Sequence, residues 1–598
     1  MMVPALTTNF AEADGSVGDA LVNYLVQRAR GGFGAIVTEN IGVDPGGRVM
    51  ARMIMADNDN YLPGLSRLAK SVKAAGGVLF GQISHAGRQT RSAITGHPLV
   101  APSPIPCPLN REMPHELTIP EIQRLEQAFV ATACRLAKAG FDGVEIHGAH
   151  GYLVGGFLSP HSNKRTDIYG GSLENRMRFL CRILHAIKQK LGDDFPVMVR
   201  ISAEEFVKDG LDGAQSIQIA SLLENEGIDA LSISVGVYGS FNKVSMITGE
   251  PEGQWIELAG RIKAATNLPI IGVGRIKRAA VAEAGLGAGH IDIAAFGRAS
   301  IADPHFPRKL LEGREADINY CLSCNICLGR TNRPQTICPV NPLVGREALL
   351  PSNNVTQIRH IAIHGSCLSA LAAAWIAAAR GHKVTVVQDD GMQGWRARVP
   401  GQQEHGEMLA GARRRASASG ALFVAVLPDG ATITDHWRVR RLQPVDLLRL
   451  AAENAVSSYQ VLAGEVSLIA KQNIVAIGDD LATAEAALLA ASQGGAVTLV
   501  TTKPTIASDA HPGYREATKR KLLELGATLV ADPEPDEQLL RDADLMVVGK
   551  DPGLPRNAPP VWETPEGTAT AFLSDAYEPG AFTTCVYEAV DLAFNFDT

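Results

Sequence analysis

The stretch "FDGVEIHGAHGY" (residues 141–152) joins a short strand-like run to a loop rich in polar groups. Its first part carries the β-branched residues Val144 and Ile146, and two histidines and a tyrosine follow at the end. Folds built from alternating strands and helices place their chemistry at the carboxyl ends of the strands. The stretch therefore predicts a β-strand whose end carries a functional site.

Seven more runs of this kind divide the first 310 residues, and helical patterns lie between them. One of these helices is predicted to begin near Pro120, with Thr118 and Glu121 spaced as a capping box. Eight βα units in roughly 300 residues predict a closed (β/α)₈ TIM barrel. The other strand candidates are "MMVPAL" (1–6), "FGAIVTE" (33–39), "GVLFGQISH" (77–85), "PVMVRIS" (196–202), "IDALSISVG" (228–236), "PIIGVGR" (269–275) and "HIDIAAFGR" (290–298).

Polar residues or glycines end nearly every predicted strand. At the seventh and eighth strands a glycine precedes an arginine, which offers backbone N–H groups and a cation to a phosphate. The pattern predicts a ligand with one phosphate and a flat polar ring. The strand-end residues are Thr7, Gln82, His147, His150, Tyr152, Arg200, Ser234–Gly236, Gly274–Arg275 and Gly297–Arg298.

Six segments resemble the old yellow enzyme family of FMN-dependent oxidoreductases. The most specific is "SNKRTDIYGGSLENRMRF" (162–179), a long and nearly gapless match. Together with the features beyond residue 320, the chain is most similar to the large members: 2,4-dienoyl-CoA reductase, 2-enoate reductase and trimethylamine dehydrogenase. The other segments are "VPALTTNF" (3–10), "GQISHAGRQ" (81–89), "VEIHGAHGYLVGGFLSPH" (144–161), "GVGRI" (272–276) and "AAFGRASIADPHFPRK" (294–309).

The resemblance assigns FMN-binding roles to strand-end residues. Gln82 and Arg200 are expected at the pyrimidine edge of the flavin, where a cation stabilises the anionic reduced ring. Thr7 is expected beside the flavin C4=O and N5. The resemblance assigns the phosphate to Gly274, Gly297 and Arg298.

The resemblance also implies a catalytic role for "HGAHGY". His147 and His150 are expected to donate hydrogen bonds to one carbonyl oxygen of an α,β-unsaturated substrate. The flavin N5 would then deliver hydride to the β-carbon, and Tyr152 would protonate the α-carbon. Tyr238 is a weaker candidate for lining the substrate pocket.

Four cysteines lie within "CLSCNICLGRTNRPQTIC" (321–338). Cys321, Cys324 and Cys327 form a C-x2-C-x2-C run, and Cys338 follows directly before Pro339. This spacing predicts a [4Fe–4S] cluster; a Cys₄ zinc site is the alternative, although such sites usually pair two separated C-x2-C motifs. The five remaining cysteines show no pattern and are interpreted as apolar fillers.

The sequence after residue 358 predicts a Rossmann-type α/β region in which each unit keeps only the first of three phosphate-binding glycines. In place of G-x-G-x-x-G the first unit has Gly365, Cys367 and Ala370, and the second has Gly478, Asp480 and Thr483. FAD or ADP is therefore a doubtful ligand. The predicted domains are a barrel at 1–315, a cluster segment at 316–345, an FAD/ADP-binding-like domain at 358–470 completed by 550–598, and an NAD(P)-binding-like domain at 471–549.

Two enzymatic functions fit these features. The first is an ene-reductase with FMN and [4Fe–4S], acting on an unsaturated carbonyl or thioester. The second is an amine dehydrogenase or N-demethylase that passes electrons to an electron-transfer flavoprotein; only 5% of residues are aromatic, and no aromatic bowl for a cation is evident. A third hypothesis makes the chain a subunit of an electron-transfer complex.

Composition limits the partners. The 598 residues carry a net charge of −7, which argues against a nucleic-acid partner. No secretory signal is evident, and "IAIHGSCLSALAAAWIAAA" (361–379) is interpreted as strand–turn–helix rather than a membrane span. We expect a cytoplasmic homo- or hetero-oligomer with a small-molecule substrate, and a redox partner such as an electron-transfer flavoprotein, a ferredoxin or a partner subunit.

Overall fold

The structure is a computed structural model. It describes residues 1–328 and 335–347 in full, residues 355–548 with gaps, and residues 569–574 and 593. The predicted closing part of the second half at 550–598 lies mostly outside the described residues.

Eight parallel strands form the barrel, and all eight predicted strands are confirmed. Their order is β1-β2-β4-β7-β8-β9-β10-β11, with β3 on the side of β2. A parallel bridge from Met2 to Ala295 closes the circle. The strands are β1 (Met2–Val3), β2 (Ala35–Gly42), β3 (Ile54–Met55), β4 (Val78–Ser84), β7 (Gly143–Gly148), β8 (Val197–Ser202), β9 (Ala230–Ser234), β10 (Ile270–Gly272) and β11 (Ile293–Ala294), and β5 (Val100–Ala101) pairs with β6 (His115–Glu116) outside the barrel.

Helices surround the barrel, and their apolar faces pack on the strands. Thr118 caps α4 through a capping box in which its backbone N–H donates to Glu121 Oε2 at 2.7 Å, as predicted. The helices are α1 (Asp19–Arg30), α2 (Leu62–Ala74), α3 (Ser92–Thr95), α4 (Ile119–Ala139), α5 (Leu153–Leu158), α6 (Leu173–Leu191), α7 (Gly213–Asn225), α8 (Phe241–Val244), α9 (Ile256–Lys263), α10 (Ala279–Gly287), α11 (Gly297–Ala302) and α12 (Phe306–Leu311).

The second half contains two five-stranded parallel sheets, ordered β14-β13-β12-β15-β21 and β16-β20-β17-β18-β19. The strand–turn–helix interpretation of 361–379 is confirmed, and the described helices include none long and apolar enough to cross a membrane. The strands are β12 (His360–His364), β13 (Lys383–Val387), β14 (Leu422–Val424), β15 (Asp435–Arg440), β16 (Ala455–Ser457), β17 (Asn473–Ile477), β18 (Ala496–Thr501), β19 (Thr528–Ala531), β20 (Leu545–Val548) and β21 (Ala569–Ser574), and the helices are α13 (Leu368–Ala379), α14 (Glu404–Ala418), α15 (Ser458–Ala463), α16 (Leu481–Ser492) and α17 (Pro512–Glu524).

Apolar packing connects the two halves. Ile247, from the loop after β9, is buried in the same hydrophobic cluster as Val399 and Leu462. Arg28 of α1 is fully buried and its Nη1 lies 3.2 Å from Glu347 Oε1, beyond the cysteine-rich segment. The domain boundaries stay a prediction, because sheets and contacts alone do not define independently folding units.

Candidate active site

A cleft lies at the carboxyl ends of the barrel strands, bordered by the cysteine loop (residues 321–328). Parallel strands in a barrel bring their carboxyl ends to one face, so residues far apart in sequence meet there. The cleft is lined by Thr7, Gln82, His147, His150, Tyr152, Arg200, Gly274, Gly297 and Arg298, together with Cys321, Cys327 and Thr336.

Two imidazoles form the floor of this cleft. His147 Nε2 lies 3.3 Å from His150 Nδ1, and His150 Nε2 lies 2.8 Å from Ser234 Oγ. Burial lowers the pKa of His147 well below its usual value, and the nearby charges of His150 and Arg200 add to this. His147 is therefore neutral and has one N–H to donate. An oxygen beside the two facing nitrogens can contact both.

Tyr152 stands next to these histidines. Its ring centroid is 4.7 Å from that of His147, and its hydroxyl oxygen is 2.9 Å from the hydroxyl oxygen of Tyr238. Both tyrosines are buried. One hydroxyl can donate a proton to a substrate atom while the other remains its hydrogen-bond partner.

Aromatic rings form one wall of the cleft. Tyr238 lies 6.0 Å from Tyr152 and 6.1 Å from Phe241 between ring centroids, and Trp255 also lines the cleft. No aromatic bowl is evident in the sequence, and this wall was not predicted from it. The rings come from loops after two different strands, so their meeting depends on the barrel and not on sequence spacing.

The inner end of the cleft holds a buried cation. Arg200 is 8% exposed, and its Nε has no hydrogen-bond partner among the described residues. The pKa of Glu145 beside it is raised by burial, and Arg200 opposes this rise. Gln82 Nε2 donates to Glu145 Oε1 at 2.6 Å. A buried guanidinium with an unsatisfied N–H favours a polar acceptor, such as the carbonyl edge of a flavin ring.

Thr7 lies on the loop after β1. Its Oγ1 donates to Asn40 Oδ1 at 3.2 Å. The adjacent loop is held by Glu39, whose Oε2 accepts from the backbone N–H of Thr8 at 2.6 Å and of Asn9 at 3.2 Å. Burial raises the pKa of Glu39 to about 7. Glu39 was not among the predicted site residues. Thr38 and Glu39 end the predicted strand 33–39, and two polar residues at such a strand end were a usable signal.

The glycines predicted for a phosphate lie at the other end. Gly274 has φ +137°, and a Cβ there would lie 3.1 Å from Trp255 atoms, so only glycine fits well. Gly297 begins α11. Arg298 lines the cleft, and its Nη1 donates to the carbonyl of Met246 at 2.6 Å and also to Asn325 Oδ1.

The four cysteines beyond the barrel are buried or half-buried free thiols. Burial, together with the nearby Cys321 charge, raises the pKa of Cys324 to about 11. Burial also raises the pKa of Cys338 far above its usual value, as do the charges of the other three cysteines. A thiol ligates a metal centre as the thiolate, so a cationic centre bound here would have to offset this rise. Over the described residues, no three His, Cys, Asp or Glu side chains form a single-ion site.

Thr336 joins the cysteine loop to the strand-end loop of β1. Its N–H donates to the carbonyl of Thr8 at 2.9 Å, and its Oγ1 lies 3.4 Å from the carbonyl of Thr7 and 3.3 Å from that of Cys327. The predicted flavin edge and a predicted cluster ligand are thus bridged by one residue. No sequence signal indicated this contact across more than 320 residues.

In the second half, an acidic side chain caps the N-terminus of a helix that follows a strand. Asp480 precedes α16, and its Oδ1 accepts from the backbone N–H of Thr483 at 3.0 Å. Its Oδ2 accepts from Thr483 Oγ1 at 2.7 Å. A carboxylate of the chain itself therefore lies where a dinucleotide fold would bind a pyrophosphate.

Residues 1–317 match the NADH:flavin oxidoreductase / NADH oxidase family, whose members are FMN flavoproteins. The chain belongs to this family. The predicted recognition, the TIM barrel and the enzyme class are confirmed: the protein is a flavin-dependent oxidoreductase related to the large old yellow enzymes.

Three similarities extend beyond the barrel. The NADH oxidase of Thermoanaerobacter brockii is 37% identical over 551 residues, or 88% of this chain and 84% of that protein. The cinnamate reductase of Clostridium sporogenes is 35% identical over 427 residues, or 67% of this chain and 64% of that protein. A solved complex of 2-naphthoyl-CoA reductase with 2-naphthoyl-CoA superposes with a TM-score of 0.87 and 26% identity, over 99% of this chain and 96% of that one.

Proposed function

We propose that this family member is an ene-reductase that uses FMN and a [4Fe–4S] cluster to reduce a C=C bond conjugated to a carbonyl or thioester. The observation that carries the proposal is the group of His147, His150 and Tyr152 at one cleft. Two relatives with overlapping sequence or fold carry names that place their substrates in this class, cinnamate and a naphthoyl-CoA thioester.

The cleft suits FMN in its donor set. Arg200 and Gln82 would face the pyrimidine edge of the ring, Thr7 the C4=O and N5, and Gly274, Gly297 and Arg298 the phosphate end. The unsatisfied Arg200 Nε and the φ of +137° at Gly274, which favours glycine, both support this fit. When bound, FMN supplies hydride-transfer chemistry to the cleft.

The chain's own residues polarise and protonate the substrate. His147 Nε2 and His150 Nδ1, which lie 3.3 Å apart, would each donate to the carbonyl oxygen and so make the conjugated β-carbon electrophilic. Tyr152 holds the proton that the α-carbon receives, and Tyr238 keeps that hydroxyl oriented. The aromatic wall excludes water from the reacting bond.

Cys321, Cys324, Cys327 and Cys338 would hold the cluster, which supplies one-electron transfer. All four cysteines are buried or half-buried, and Cys321 and Cys327 line the same cleft as Thr7. Thr336 places the loop of Cys327 against the loop of Thr7. The two predicted redox sites would therefore be close neighbours.

The source of electrons is part of the proposal. Since Asp480 caps its own helix, we expect the NAD(P)-binding-like unit to bind NAD(P)H poorly. In the FAD/ADP-binding-like unit, Cys367 and Ala370 replace two glycines of the fingerprint, so we expect weak FAD binding there as well. The donor is then a pyridine nucleotide entering the barrel cleft, or a protein partner that delivers electrons to the cluster.

A second candidate function is amine oxidation. The aromatic wall formed by Tyr152, Tyr238 and Phe241 could hold a substituted ammonium ion by cation–π contact. The same wall fits an aryl enoate, so substrate turnover decides between the two functions.

Turnover assays on the purified holoenzyme test the proposal. We expect NADH- or dithionite-driven reduction of cinnamate-like enoates or aryl-CoA thioesters, with no reduction of the flavin by tertiary amines. Amine-dependent flavin reduction without enoate turnover would support the second function. A purified chain that shows no iron–sulfur EPR signal after anaerobic reconstitution and reduction with dithionite would contradict the cluster assignment.

A further inference from the structure

Arg275 touches three parts of the molecule with one guanidinium. Its Nε donates to Ser323 Oγ in the cysteine loop at 3.0 Å. Its Nη2 lies 2.5 Å from Glu404 Oε1 at the start of α14, and its Nη1 donates to the backbone carbonyl of Glu250. The residue has φ +56° and is 8% exposed, so its position is fixed by surrounding structure.

Glu404 is the meeting point from the second half. Besides Arg275, it binds Lys277, whose Nζ lies 2.9 Å from Glu404 Oε2. The side chains of Arg275 and Lys277 are 2% and 3% exposed, and that of Glu404 is 20% exposed. We name these three residues the charged clamp. Breaking a mostly buried ion pair on one side leaves a cation without its partner, which is strongly destabilising locally.

The carbonyl of Glu250 belongs to the substrate loop (residues 237–256). This loop supplies Tyr238, Phe241 and Trp255 to the cleft. The second half also contacts it elsewhere: Ile247 packs in the core of the second unit, and Arg520 Nη2 of α17 lies 3.0 Å from Glu250 Oε1.

We propose that Glu404 is a positioning residue of the redox site: through Arg275 it holds both the cysteine loop and the substrate loop in place against the second half. This rests on the proposed function, because it treats the cysteine loop as a cluster site and the substrate loop as a wall of the reductase pocket. The second half then has a role that requires no bound nucleotide.

The chain offers a matched pair of substitutions for the test. Glu404→Gln removes one negative charge and releases Arg275. Glu407→Gln removes the same charge from the same helix, but Glu407 pairs with Arg278, at 2.7 Å. Arg275 pairs with Glu404 instead. The difference between the two variants reports on the clamp and not on charge alone.

For Glu404→Gln in the holoenzyme we expect a cluster midpoint potential shifted to more positive values, because uncompensated cations beside the cysteine loop favour the reduced cluster. The KM for the unsaturated acceptor should rise about three-fold or more, while kcat changes less. Backbone hydrogen exchange should increase in residues 241–252 and 321–328. Glu407→Gln should show smaller shifts in all three.

Ser323→Ala separates the contact of Arg275 with the cysteine loop from its contact with the substrate loop. It removes the contact to the cysteine loop and leaves the Glu250 carbonyl contact, so we expect a shifted potential with an unchanged KM. Equal shifts in Glu404→Gln and Glu407→Gln, with wild-type exchange in both loops, would overturn the clamp. A wild-type chain without a cluster would instead refute the proposed function, while the exchange comparison would still decide the clamp.

Discussion

The barrel and the second half are both built from parallel strands and helices, yet they differ at the ends of their strands. In the barrel, strand ends carry histidines, a tyrosine, a buried arginine and a glycine at φ +137°. In the second half, the corresponding turns keep Gly365 at φ +118° and Gly478 at φ +154°, but the next fingerprint positions are Cys367 and Asp480.

This difference separates what a fold needs from what a site needs. Strand and helix periodicity maintains each core, as the buried apolar residues of α13 and α16 show. Ligand binding depends on a few residues after the strands, and these can change without disturbing the core. The second half can therefore keep its fold and its contacts with the barrel without binding a nucleotide.

Removing a cluster ligand should have the largest effect. Cys338→Ser is expected to abolish the iron–sulfur EPR signal, because a buried hydroxyl does not replace a thiolate at this centre. The flavin should remain bound in the barrel. Cys134→Ser, a half-buried cysteine of α4 outside the site, is the control and should keep the signal. Retention of a full cluster in Cys338→Ser would break the assignment.

Loss of the proposed proton donor comes next. Tyr152→Phe should lower kcat for enoate reduction by roughly 10²-fold or more, the usual range for a general acid. Tyr169→Phe removes another buried tyrosine hydroxyl, which donates to Glu126 at 2.9 Å, and should leave kcat nearly unchanged. A comparable loss in both variants would mean that stability and not proton donation explains the effect.

The buried Glu39 gives the barrel a pH-dependent stability. Its folded pKa of about 7 exceeds the ordinary 4.5, so its contribution is fully present below 4.5 and is lost as the pH rises through 7. The 2.5-unit difference bounds the effect at about 3 kcal/mol. Glu39→Gln should therefore reduce the change in thermal midpoint between about pH 5 and pH 8, measured by calorimetry. An unchanged pH profile would show that Glu39 does not titrate in this range.

The smallest effect is expected in the second half. Asp480→Gly should cost a few tenths of a kcal/mol in stability and leave enoate turnover unchanged, because glycine is itself tolerated at an N-cap. It should increase affinity for ADP, measured by calorimetry. Asp212→Gly removes a matched cap in the barrel, where Asp212 Oδ1 accepts from Gln215 N at 2.8 Å, and should not affect ADP binding. Equal ADP affinities in wild type and Asp480→Gly would show that the Asp480 carboxylate does not prevent ADP binding.

Much of the barrel and its strand-end residues could be predicted, because both follow from local periodicity and from the topological rule that strand ends meet. The Thr118–Glu121 cap is local in the same sense. Contacts such as Arg275 to Glu404 and Thr336 to Thr7 join segments far apart in sequence, so no spacing announces them. The aromatic wall was missed for the same reason.

Reduction of a conjugated C=C bond in the barrel cleft, with hydride supplied by FMN and the proton by Tyr152, is the function proposed for this protein. Its most direct test is anaerobic single-turnover reoxidation of the dithionite-reduced holoenzyme by an aryl enoate or aryl-CoA thioester, followed in the flavin absorbance band. We expect rapid reoxidation with saturated product in the wild type and slow reoxidation in Tyr152→Phe. No reoxidation by any such acceptor, together with reduction of the oxidised flavin by a tertiary amine, would contradict it.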